Sequence, residues 1–83
     1  MRRRTTDMAR YNGHPSWAHW NVSLWIGNDE GLYNTARECI RSMQTKKSAA
    51  ECMLSLLHEA GVRETPDGVK YTVTTIHHAM RGM

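Results

Sequence analysis

Eighty-three residues, 40% of them hydrophobic and 23% charged, suffice for one small domain and leave no room for a second core or a deep cofactor fold. That balance is ordinary for a globular chain and far from the low-hydrophobicity, high-charge signature of disorder. The formal net charge of +3 sits at one end: residues 1–10 hold Arg2, Arg3, Arg4 and Arg10 against Asp7, while residues 11–83 carry seven basic and seven acidic side chains. The body therefore lacks the clustered Lys/Arg face that most duplex-binding domains carry.

Residues 1–13 read as a flexible basic arm that ends in the turn signal Tyr11-Asn12-Gly13, and residues 14–83 as a single helical domain. Pro15 suits a first helical turn, and Trp17, Trp20, Asn21, Leu24 and Trp25 recur at i, i+3, i+4, i+7 and i+8, which predicts a first helix over about Ser16 to Ile26. Ala18, Val22 and Ile26 widen its apolar arc until only His19 and Ser23 form a polar edge, so the helix is expected to be largely buried. With no Phe in the chain, the three Trp are expected to serve the core, and Trp20→Ala to unfold the domain at a cost of a few kcal/mol. Asn21 lies inside the apolar arc. Its amide must find partners there or cost about 1–3 kcal/mol, and locking a neighbouring loop is the expected solution.

Gly27-Asn28-Asp29-Glu30 breaks the periodicity and restarts it, with Asn28 or Asp29 as the cap of a second helix. Leu32, Ala36, Cys39, Ile40 and Met43 form its stripe, Arg37, Glu38 and Arg41 face water, and it ends near Gln44. Lys46-Lys47 reads as a link, followed by a Ser48/Glu51 capping box and a third helix over about Ala49 to Ala60 with the stripe Ala49, Met53, Leu56, Leu57 and Ala60. Gly61-Val62 is a helix stop with a hydrophobic lock. Thr65-Pro66-Asp67-Gly68 is a turn, and Val69-Lys70-Tyr71 an extended link. Thr72 caps a last helix with Val73, Ile76, His77 and Met80 on its inner side and Gly82 at its end. The fold class is all-α, a compact bundle of about four short helices.

No nucleophile elbow, paired carboxylates or phosphate-cradling glycines occur, so no catalytic site is read from the sequence and the chain is not expected to be an enzyme. Cys39 and Cys52 fall on helical stripes without a close Cys-x-x-Cys pair and read as reduced core cysteines. His77 and His78 point about 100° apart on a helix and do not share a metal ion easily; His78 is expected to face outward with Thr74 and Arg81. No cofactor is implied. The longest apolar runs fall far short of a membrane span and the Arg-rich start lacks a following apolar stretch, which leads to the expectation of a cytoplasmic protein with no membrane partner.

The run Trp17, Trp20-Asn21-Val22, Leu24-Trp25-Ile26 and Asn28-Asp29-Glu30, together with Tyr11-Asn12-Gly13, Leu32-Tyr33 and Pro66-Asp67-Gly68-Val69, resembles a family of small uncharacterised proteins of bacteriophages and other mobile elements. The resemblance implies origin. By analogy with small phage accessory proteins it implies a non-catalytic inhibitor of host defence machinery, an anti-CRISPR or other anti-defence factor, working in the host cytosol on a protein complex such as a CRISPR effector.

The second half, Leu56-Leu57, Gly61-Val62, Thr65-Pro66, Gly68, Tyr71, Thr75-Ile76 and Met80, is similar to the helix-turn-helix tail of large serine recombinases, with Tyr71 where Trp is usual. This resemblance implies an alternative function, a DNA-binding regulator that also admits a homodimer. The residues assigned to a nucleic-acid or partner surface are Arg2, Arg3 and Arg4 as a minor-groove arm, with Lys70, Thr74, Thr75, His78 and Arg81 in and before the last helix.

Overall fold

Ser16 is the first residue that the structure, a computed structural model, describes; it covers residues 16–83, and Pro15 and the arm over residues 1–13 lie outside them. Its hydroxyl accepts a hydrogen bond from His19 N at 3.2 Å and so caps helix α1 (Trp17–Asn28). Asp29 then does two jobs. Its backbone N–H donates to Trp25 O at 3.0 Å and closes α1, while its Oδ1 accepts from Leu32 N at 2.9 Å and opens α2 (Glu30–Ser42). A single residue therefore turns the chain from one helix into the next.

Helix α3 (Lys46–Glu59) begins earlier than its sequence suggests: Thr45 Oγ1 accepts from Ser48 N at 3.0 Å, so Thr45 is the cap and Lys46-Lys47 is the first helical turn. The expected Ser48/Glu51 box is displaced by a cap of equal competence three residues upstream. Lysine suits a helix start poorly, but Lys46 Nζ reaches Arg81 O at 3.5 Å, at the negative end of the last helix. At the far end of α3, Gly61 adopts φ +79° while Gly61 N donates to His58 O at 3.0 Å and Val62 N to Leu57 O at 2.8 Å. This is the double hydrogen bond of a Schellman stop. Helix α4 (Val73–Met80) opens on a reciprocal box in which Thr75 N donates to Thr72 Oγ1 and Thr72 N to Thr75 Oγ1, both at 3.1 Å.

The four helices close a ring, α1 packing on α2 and α4, and α3 likewise on α2 and α4. Val22 and Ile26 of α1, Ala36 and Cys39 of α2, Ala49, Ala50, Met53 and Leu57 of α3, Ile76 and Met80 of α4, and Tyr71 fill its centre. The expectation that Trp builds the core is overturned. Trp17 is 43% exposed, and Trp20 and Trp25 are half-buried. α1 carries a wide apolar arc but meets only two neighbours. Its buried apolar side chains are Val22 and Ile26, which share the core with Ala36 of α2 and Ile76 and Met80 of α4, the flexible methionines filling gaps between the stiffer side chains. Leu56 and Ala60 likewise fall outside the core, whose α3 stripe runs through Ala49, Ala50, Met53 and Leu57. Ser23, expected at a polar edge, has its hydroxyl buried with no hydrogen-bond partner among the described residues. No described helix is long and apolar enough to cross a membrane.

Candidate functional site

Between α3 and α4 the chain doubles back as a tight hairpin. Thr65 N donates to Val69 O and Gly68 N to Thr65 O, each at 2.8 Å, and Tyr71 N donates to Arg63 O at 3.0 Å around an antiparallel Glu64–Lys70 bridge. Pro66 holds the second turn position and Gly68, at φ +90°, supplies the left-handed residue that returns the strand. The segment Val69-Lys70-Tyr71, expected as a plain link, is the return arm of this hairpin.

The buried amide of Asn21 pins the hairpin to α1. Thr65 Oγ1 donates to Asn21 Oδ1 at 2.7 Å, and Asn21 Nδ2 donates to Asp67 Oδ2 at 2.8 Å. Trp25 Nε1 donates to the same Asp67 oxygen at 2.9 Å. Thr65 Oγ1 also accepts from Asp67 N and Val69 N, both at 3.2 Å, so the turn is tied internally as well. The hydrogen bonds from Asn21 and then Trp25 hold the Asp67 carboxyl below its ordinary value of 3.8. Asn21 thus locks a loop, as its place in the apolar arc required, and it also fixes the edge of Trp25.

Fixing the hairpin against the α1–α2 corner leaves a groove of about 510 Å³. Trp25, Asp29, Leu32 and Thr35 form its helical wall; Val62, Glu64, Pro66 and Tyr71 form the opposite one. Its floor is apolar. Its charges are carboxylates: Asp29 and Glu64 are both exposed, and neither has an ion-pair partner among the described residues. Burial, with a smaller push from the Asp29 carboxylate, raises the Tyr71 phenol above its usual 10.0. An apolar slot with two unpaired carboxylates suits the aliphatic stem and cationic head of a Lys or Arg side chain.

The residues assigned from sequence are distributed differently. Arg2, Arg3 and Arg4 lie outside the described residues. Thr74 is exposed on α4 and Arg81 just past its end, with Lys46 beside the Arg81 carbonyl, and Lys70 is exposed on the hairpin arm. Thr75 cannot join them: it is 6% exposed and committed to the α4 capping box. His78, expected to face outward, is half-buried, its ring edge-on to His19 of α1 with centroids 5.0 Å apart. The polar edges of α1 and α4 meet there, and both histidines are half-buried. The groove residues Asp29, Leu32, Glu64 and Tyr71 were not singled out as a site; the one sequence signal for them was Asn21, which required a loop partner without naming it.

Among the described residues no three His, Cys, Asp or Glu side chains converge to hold a metal ion. No curated protein and no solved structure matches the chain. A family of unknown function, DUF7249, matches over residues 7–83, which takes in every element of the ring and the whole groove. The chain belongs to the DUF7249 family.

Proposed function

We propose that the chain acts by binding, taking a Lys- or Arg-bearing segment of a partner protein into the groove between the α1–α2 corner and the hairpin. The observation that carries this reading is the pair of exposed carboxylates, Asp29 and Glu64, that have no ion-pair partner among the described residues, on a largely apolar slot. The resemblance to phage accessory proteins makes host defence machinery the class of target, with CRISPR effectors first among them. Such effectors hold nucleic acid in positively charged channels, and an acidic groove is complementary to basic side chains lining such a channel.

Calorimetric titration of the purified chain into purified effector complexes tests the proposal. Glu64→Lys puts a cation on the rim and is expected to weaken binding at least tenfold, while Arg81→Ala leaves it unchanged. The alternative reading, a DNA-binding regulator, draws on the cations gathered where Lys46 meets the end of α4. Binding to random-sequence duplex DNA that falls steeply with salt and is weakened by Arg81→Ala would replace the protein-binding reading with that one.

A further inference from the structure

Away from the groove, where α2 packs on α3, Cys39 Sγ and Cys52 Sγ stand 3.5 Å apart and both thiols are free. The pairing is not visible along the chain, where twelve residues separate them, because it depends on two helical stripes meeting in register. A disulfide has its sulfurs about 2.05 Å apart, so closure requires an approach of about 1.5 Å. The two thiols differ in access: Cys39 is 2% exposed, whereas Cys52 is only half-buried.

We propose that Cys39 and Cys52 form a modification site, a dithiol that low-molecular-weight disulfides such as oxidised glutathione convert reversibly into a bond between α2 and α3. The accessible Cys52 thiolate attacks one sulfur of oxidised glutathione; that S–S bond breaks, one glutathione thiolate leaves and takes up a proton, and a mixed disulfide forms on Cys52. Cys39 then gives its proton to water and attacks Cys52 Sγ from 3.5 Å. The Cys52–glutathione bond breaks and the second glutathione departs as a thiol. Together the two cysteines lose two protons and two electrons, and one glutathione disulfide is reduced to two thiols. Burial first, then the neighbouring Cys52 and the Glu38 charge, push the Cys39 thiol up to about 12, which assigns the first attack to Cys52 and the resolving step to Cys39.

Exposure of the full chain to oxidised glutathione, followed by unfolding, alkylation of free thiols and mass spectrometry, tests the site independently of any binding partner. The expected product is a monomer lighter by two hydrogens with neither cysteine alkylated, reversed by dithiothreitol. Its Tm should lie at least about 5 °C above that of the reduced chain, since the bond restrains the unfolded chain around residues 39–52. Cys39→Ala removes the resolving thiol and should leave a glutathione adduct on Cys52 that outlives the wild-type intermediate more than tenfold. A wild-type chain that accumulates a lasting adduct, dimerises covalently, or keeps both cysteines alkylatable under excess oxidised glutathione would overturn the proposal; each of these readings uses the wild-type protein and stands even if the variant fails to fold.

Discussion

Asn21 is 1% exposed within the apolar arc of α1, and its amide is satisfied at both ends by residues 44 and 46 positions away. Truncation to Ala leaves Thr65 and Asp67 short of a partner and should cost about 2–3 kcal/mol in urea unfolding, at the upper end for buried hydrogen bonds. Ser23 is the opposite case. Its hydroxyl is buried without a partner, so Ser23→Ala should leave stability unchanged or raise it by up to about 1 kcal/mol. Asp67 adds a pH dependence with a fixed sign. Its carboxyl is depressed below 3.8 in the folded chain, so its contribution is complete above that value and lost as pH falls through the folded pKa. Acid unfolding of Asp67→Asn should show a flatter dependence than wild type below pH 3.8.

At the scale of elements, signals that act within one turn were readable from the chain. The caps at Asp29 and Thr72 and the stop at Gly61 depend on residues no more than five positions distant. The sequence leaves the start of α3 open because Thr45 and Ser48 are equally able caps, and the choice between them involves Lys46 and the end of α4, 35 residues away. The Trp residues were misplaced for a related reason: periodicity shows that α1 is apolar, but which face is covered depends on the helices that arrive later. Comparing two truncations checks the corrected core. Met53→Ala, at 0% exposure, should cost about 2–5 kcal/mol, whereas Trp20→Ala, at a half-buried position, should cost about 1–2 kcal/mol and leave the chain folded. The candidate groove was the least legible part, because it is made by packing the hairpin against a helical corner and carries no motif of its own.

For the whole molecule, charge is balanced over residues 11–83 yet unevenly placed. Carboxylates rim the groove, and cations gather where α3 begins and α4 ends. Alkaline conditions test the core as a unit. Cys39 is raised from 9.0 to about 12 and Tyr71 above 10.0, so both stay protonated in the folded chain at pH values where the unfolded chain ionises. Their contribution to stability is therefore complete below pH 9.0 and is lost as pH rises from there toward 12, and Cys39→Ala should flatten that decline in a pH series of thermal melts.

The corner at Asp29 constrains how such a chain can change length. Because one residue ends α1 and begins α2, with no slack between them, an extra residue there would turn α2 by about 100° and carry Ala36 and Cys39 off the core. The link at Gln44, between the end of α2 and the cap of α3, is exposed and lies outside both helices, so added residues there lengthen a loop and leave each helix intact. Length variation among relatives should therefore collect at that link and be missing at the corner.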